Sequence, residues 1–253
     1  MNRRFEVIFF DLGDTLMYDK DPWGPIFPLA DAAMRKSLAE AGYPLAENAY
    51  GDFDTIFDLY YHRRTDIVKE ETTVQLLREL MKEQGASPSD PVLFAAMEAM
   101  YAITQENWHV EEDATQTLEA LKEMGYRLGM ISNSADDENT QELVDKGQLR
   151  PHFEFILSSA ACGIRKPDPH IFQLALEHFK VSPDKTVMVG DTLDADILGA
   201  NQLGIYSIWA SRHAQTPPEG ELPIQPQAVI SSLSELPKLL AELEEELPVQ
   251  GSS

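Results

Sequence analysis

Phe5-Glu6-Val7-Ile8-Phe9-Phe10-Asp11-Leu12-Gly13-Asp14-Thr15 sets a short apolar run directly against two carboxylates and a glycine. A run this short, rich in β-branched and aromatic residues, reads as a buried strand, and the acidic turn marks its carboxyl end. Similar runs recur at Tyr126–Ile131, Phe153–Leu157, Thr186–Val189 and Tyr206–Trp209, each preceded by a helix-like or loop segment. Leu118, Leu121 and Met124 give Ala114–Met124 a helical face that stops at Gly125; Asp137–Lys146, His170–Phe179 and Ala195–Leu203 read the same way. The alternation predicts an α/β fold, a doubly wound, Rossmann-like parallel sheet covered by crossover helices.

The first crossover is too long. About a hundred residues separate the first strand from Ala114, far more than a strand-helix-strand unit needs, so the excess is a domain. Leu29–Ala41, Val74–Gln84 and Val92–Trp108 carry helical apolar spacing, two of them ending at Gly42 and Gly85, which predicts an inserted helical bundle. Its expected boundaries lie near Tyr18 and Val110: residues 18–110 form a cap, and residues 1–17 with 111–253 form the core. Trp23, Phe27, Met97, Met100 and Trp108 read as cap core. Beyond Arg212, Pro217, Pro218, Pro223 and Pro226 predict a surface loop, followed by an amphipathic helix over Leu236–Leu247.

The 253 residues hold 43 Asp and Glu against 20 Lys and Arg, a formal charge of −23. Such a surface repels polyanions, so nucleic acid and anionic membranes are excluded as general partners. The single cysteine, Cys162, excludes a disulfide framework and a Cys-rich metal site and fits a reducing, cytoplasmic setting. No apolar run approaches the roughly 20 residues of a membrane helix, and Phe5–Phe10 is too short for a signal peptide.

In open parallel sheets, reactive groups stand in loops beyond the carboxyl ends of the strands. Here those loops carry Asp11-Leu12-Gly13-Asp14-Thr15, Ser132-Asn133-Ser134, Gly163-Ile164-Arg165-Lys166-Pro167-Asp168 and Gly190-Asp191-Thr192-Leu193-Asp194-Ala195-Asp196. Carboxylates converging from separate loops repel one another, and a hard divalent cation such as Mg²⁺ relieves that repulsion. A hydroxyl and an ammonium beside them suit a phosphate, and an Asp can attack its phosphorus in line.

This set of four loops resembles the haloacid dehalogenase superfamily from Phe5 to about Trp209. Phe10-Asp11-Leu12-Gly13-Asp14-Thr15-Leu16 is similar to the family's first motif, Ser132 to the second, Lys166-Pro167 to the third, and Gly190-Asp191 with Asp196 to the fourth. The resemblance implies a Rossmann-like core with a helical cap inserted after the first strand. It implies Asp11 as nucleophile, Asp11, Asp191 and the Gly13 carbonyl as Mg²⁺ ligands, and Ser132, with Asn133, and Lys166 as phosphate-binding groups. Asp196 would hold Lys166 or a metal-bound water. In the cap, Tyr60, His62, Arg63 and Arg64 are candidates to close over a phosphorylated substrate.

One departure matters. Phosphatases of this family usually carry a second Asp two residues after the nucleophile, where it serves as general acid and base. Here that position is Gly13, and the carboxylate follows at Asp14. Either Asp14 bends in as the acid, or a good leaving group makes the acid dispensable, or turnover is slow. The expected activity is a Mg²⁺-dependent phosphomonoester hydrolase acting on a small soluble metabolite through an aspartyl phosphate. The alternatives are a metal-independent 2-haloacid dehalogenase and a catalytically weakened binding or regulatory protein.

Overall fold

The computed structural model describes residues 3–63, 68–214 and 224–245. Arg64, Pro217, Pro218, Pro223 and the end of the last expected helix, Glu246 and Leu247, lie outside them. Strand β1 (Val7–Phe10) is followed by β2 (Met17–Asp19), helices α1 (Trp23–Glu40), α2 (Ile56–Arg63), α3 (Thr73–Glu83) and α4 (Asp90–Gln105), and strand β3 (Trp108–Val110). Then come α5 (Ala114–Glu123), β4 (Arg127–Ser132), α6 (Asp137–Lys146), β5 (Phe155–Ser158), α7 (Ser159–Cys162), α8 (Pro169–Phe179) and β6 (Thr186–Gly190). The chain continues through α9 (Leu198–Leu203), β7 (Tyr206–Ala210) and β8 (Ala228–Ile230) to α10 (Leu236–Glu245).

Six strands form one sheet in the order β5-β4-β1-β6-β7-β8, every pair parallel. Parallel strands covered on both faces need apolar residues at every position, and β1 is buried throughout. Ile8 and Phe10 pack with Leu118, Leu128 and Leu240 on one face; Val7 and Phe9 meet Phe172, Phe179 and Met188 on the other. Because the chain runs from β1 to β4 and β5 on one side and then crosses to β6 on the other, a crevice opens at the carboxyl end of β1. Asp11 stands there.

The helical insert has its own core, whose buried members, among them Met34, Leu38, Leu76, Leu77, Met97 and Met100, all lie between Ala30 and Tyr101. Two short antiparallel strands join it to the sheet domain, with Met17, Tyr18 and Asp19 opposite Val110, His109 and Trp108. Tyr18 and Val110, the expected boundaries, lie within this ribbon.

Several elements differ from expectation. Helix α1 begins at Trp23 rather than Leu29. Pro25 falls in the first turn, where backbone N–H groups have no partner within the helix, and Pro28 forfeits one bond near the same end. Helix α4 stops at Gln105, short of Trp108, because buried Asn107 ties back to Asp21: its Nδ2 donates to the Asp21 carbonyl at 2.9 Å, and its Oδ1 accepts the Asp21 N–H at 2.8 Å. Strands β2, β3 and β8 have only three residues each, too few to display a period. No helix among the described residues is long and apolar enough to cross a membrane.

Candidate active site

The site is assembled by the strand ends. The Asp11 N–H continues the β1–β6 ladder by donating to the Val189 carbonyl at 2.9 Å, which leaves its buried side chain in the crevice. Ser132, also buried, ends β4. The loop after α7 delivers Lys166, 3% exposed. Its Nζ donates to Asp11 Oδ1 at 2.7 Å and to the Ile131 carbonyl at 2.7 Å, and it lies 2.6 Å from Asp196 Oδ1. Burial alone would lower this ammonium, but the Asp11 and Asp196 carboxylates outweigh it and raise its pKa.

Asn133, expected beside phosphate, lines the same crevice and also holds Lys166. Its Oδ1 accepts the Lys166 N–H at 2.8 Å, and its Nδ2 donates to the Lys166 carbonyl at 3.0 Å. Both ends of the amide hold the lysine's backbone, which makes Asn133 a positioning residue for Lys166.

After β6, Leu193–Ile197 wind as one π-helical turn before α9, a deviation that frequently marks functional sites. It carries fully buried Asp196 back against the strand end, where its Oδ2 accepts the Thr192 N–H at 3.0 Å. A Cβ on Gly190 would lie 2.3 Å from the Asp196 carboxyl carbon, so only glycine fits there. Carboxylate oxygens of Asp11, Asp191 and Asp196 all lie within 4.8 Å of one another. Burial pushes Asp191 well above the usual carboxylate range, Asp11, Asp196 and Asp14 push it further, and Lys166 opposes them. Asp196 is raised by burial too, again against Lys166. Three carboxylates around one ammonium leave uncompensated negative charge in a poorly solvated crevice. An all-oxygen donor set carrying that excess fits a hard divalent cation.

Asp14 sits at φ 55°, in the left-handed region, and its pKa is pushed up to about 6 by burial, then by Asp19, with His213 opposing. A Cβ on Gly13 would meet Trp108 Cη2 at 3.2 Å, because the indole of the ribbon lies on that glycine.

Between the strand ends and the insert lies a cavity of about 920 Å³, lined by Asp11, Ser132, Lys166 and Asp191 below and by aromatic rings of the insert above. Here the expectations for the cap need correction. Tyr60 does line the cavity, but it is buried, its hydroxyl donating to Glu70 Oε1 at 2.9 Å. His62 is exposed and packs on Phe53 at 4.8 Å between ring centroids. Arg63 pairs with Glu79 at 3.2 Å and Glu71 at 3.6 Å, and it lines a separate hollow with Arg78. Helix α2 buries its Phe57 and Tyr60 side, which turns His62 and Arg63 away from the cavity. Trp23, Phe27 and Trp108, expected in the cap core, line the cavity; Phe27 also packs against the insert core, whereas Trp108 packs against the core of the sheet domain.

Sequence reasoning missed the buried contact beside Lys166. Arg165 donates to Glu70 Oε2 at 2.6 Å and to the Tyr60 hydroxyl at 3.3 Å, while Ser159 Oγ donates to the same Glu70 oxygen at 2.5 Å. The backbones join as well: Arg165 N–H donates to Val68 at 2.7 Å, and Glu70 N–H to Gly163 at 3.0 Å. A carboxylate inside Lys69-Glu70-Glu71 carries no sequence mark that it is the buried one. Arg212 and His213 likewise do not line the cavity but pair with buried Glu111 at the ribbon.

Residues 5–204 match the family model of haloacid dehalogenase-like hydrolases. The glyceraldehyde 3-phosphate phosphatase of Pyrococcus furiosus is 32% identical over 96% of this chain and 95% of its own length. Haloacid dehalogenase-like hydrolase domain-containing protein 3 of Xenopus laevis is 28% identical over 94% of this chain and 96% of its own. Among solved structures, a 2-haloacid dehalogenase from Pseudomonas syringae pv. Tomato DC3000 superposes with a TM-score of 0.67 at 28% identity, covering 94% of this chain and 99% of that one. With four loops converging on one acidic crevice and a family match running from β1 through α9, the chain belongs to the haloacid dehalogenase-like hydrolases.

Proposed function

We propose that the protein is a cytosolic, Mg²⁺-dependent phosphomonoester hydrolase that acts on a small phosphorylated metabolite through an aspartyl phosphate. The observation that carries this reading is the Asp11–Lys166–Asp196 contact beside Asp191, a nucleophile, a phosphate-binding cation and an excess of oxygen donors in one crevice. Relatives named glyceraldehyde 3-phosphate phosphatase support it. So does the phosphoserine phosphatase of Thermus thermophilus, 32% identical over 54% of this chain.

Asp11 attacks phosphorus; the new P–O bond forms as the ester P–O bond breaks, and the leaving oxygen departs with the electron pair. Ser132 and Lys166 bind the phosphoryl oxygens, and Asp196 and Asn133 hold Lys166 in place. Asp14, with a pKa near 6, protonates the leaving oxygen and then takes a proton from the water that cleaves the aspartyl phosphate. Asp11, Asp191 and the Gly13 carbonyl would hold Mg²⁺, which when bound supplies positive charge to the carboxylates and the phosphoryl group. The insert, residues 18–110, serves as a cap that excludes bulk water.

The test is phosphate release from a panel of phosphomonoesters and acetyl phosphate, with and without Mg²⁺. No release from any of them by folded protein overturns the reading, and an unchanged rate in Asp14→Asn removes Asp14 from the chemistry. The likeness to a 2-haloacid dehalogenase favours a second reading, displacement of halide from carbon. Three carboxylates suit that carboxylate-bearing substrate poorly, and metal-independent chloride release from 2-chloropropionate would establish it.

A further inference from the structure

Deepening the hydrolase reading, on which it rests, we infer that the substrate is a phosphate monoester whose alcohol carries a flat aromatic ring close to the phosphate and no second anionic group. The wall facing the phosphate-binding residues is a connected file of rings. Trp108 lies on Gly13, in the loop that bears Asp11. Trp23 follows at 5.5 Å between centroids, then Phe27 at 5.2 Å, nearly parallel to Trp23 at 21°. Phe27 continues to Phe57 at 4.6 Å and 22°, and to Tyr61 at 6.2 Å and 26°.

All five rings line the cavity, and Tyr61 remains 48% exposed, while Trp23, Phe27 and Trp108 are only partly covered. Phe57 is buried in the insert core and Phe27 packs against it, whereas Trp23, Trp108 and Tyr61 lie outside that core and keep part of their surface open to the cavity, offering faces on which a planar group stacks. At about 920 Å³ the cavity has room for such a group beside the phosphate.

The charge lining the cavity narrows the class further. Among the described residues its cations are Arg165 and Lys166. Lys166 is held by Asp11 and Asp196 and serves the phosphate; Arg165 is neutralised by Glu70, in a pair whose side chains are 8% and 0% exposed. Among the described lining residues, a second phosphate or a carboxylate on the substrate would meet rings and neutral polar groups such as Asn139 and Thr140, with no cation that lacks a carboxylate partner to offset its desolvation.

The test uses the full chain with Mg²⁺ and compares kcat/KM for benzyl phosphate, cyclohexylmethyl phosphate, glycerol phosphate, phosphoglycolate and a nucleoside 5′-monophosphate, with acetyl phosphate as control. Benzyl and cyclohexylmethyl esters both release primary alcohols, so their ratio reads ring planarity. Benzyl phosphate is expected to lead by about tenfold, the scale of one good stacking contact. Phosphoglycolate should come last, and the nucleotide, whose ring stands a sugar away, should lag. Trp23→Leu and Phe27→Leu, checked for folding by thermal melts, should bring the benzyl-to-cyclohexylmethyl ratio toward one. Equal rates for those two esters, a preference for phosphoglycolate or the nucleotide, or a ratio unmoved in both variants overturns the inference while the hydrolase reading stands. Failure to release phosphate even from acetyl phosphate overturns both.

Discussion

Arg165 and Lys166 are neighbours in sequence, both buried and both paired with carboxylates, yet their surroundings are built on opposite principles. Around Arg165 the charges balance: one guanidinium meets one carboxylate, and the hydroxyls of Tyr60 and Ser159 complete the Glu70 oxygens. Around Lys166 they do not. Its ammonium touches two carboxylates, and a third, Asp191, lies within ligand distance of both. A balanced buried pair holds the insert against the sheet domain. An unbalanced one stores repulsion that a proton on Asp191 or a further cation relieves, and such residual charge is what a reactive site needs.

The largest effect should come from removing the proposed nucleophile without removing its shape. Asp11→Asn is expected to abolish phosphate release, a loss of at least about 10⁴-fold in kcat, while leaving the fold intact by circular dichroism. The comparison itself breaks on a second pair of variants. Arg165→Met strands the Glu70 carboxylate and should cost about 3–5 kcal/mol in urea denaturation, with no recovery on adding Mg²⁺. Lys166→Met should also destabilise the cation-free protein, but there Mg²⁺ should restore part of the loss, because the stranded groups belong to its proposed site. Equal responses of the two variants to Mg²⁺ would erase the distinction.

A smaller effect of the opposite sign is expected at Asp191. Its pKa is raised in the folded chain, so folding has to oppose its ionisation, and the folded state loses stability as pH climbs above the unfolded carboxylate value of about 4. Asp191→Asn removes that ionisation. It should therefore stabilise the cation-free protein at pH 7 by about 1 kcal/mol while eliminating the Mg²⁺-dependent rise in melting temperature.

What was legible in the chain follows the same division. Asp11, Ser132, Lys166, Asp191 and Asp196 stand out because each interrupts or follows an apolar strand run, and the structure brings all five to one end of the sheet. Glu70 and Arg165 were hidden because their partners come from distant loops and their neighbours in sequence are equally charged. The ribbon was hidden by its length: three residues show no alternation, and the Asn107–Asp21 bridge that ends α4 spans 86 positions. The aromatic wall is only half legible, because helical periodicity places Trp23 and Phe27 on an apolar face without saying that the face meets a cavity as well as, for Phe27, the insert core.

The smallest expected effect completes the comparison with a third kind of ion pair. Arg63 reaches Glu79 at 3.2 Å and Glu71 at 3.6 Å, but the arginine side chain is 36% exposed and Glu79 56%. Water solvates both members almost as well apart as together, so the pair contributes about 0–1 kcal/mol, unlike its buried counterpart at Arg165. Arg63 also lines the outer hollow rather than the cavity at the strand ends. Arg63→Ala should leave kcat/KM within about twofold of the parent protein and shift stability by less than about 1 kcal/mol, a shift that fades further as salt screens the pair. A rise in KM of tenfold or more for phosphate esters would instead place this arginine over the substrate and return the cap's cations to the site.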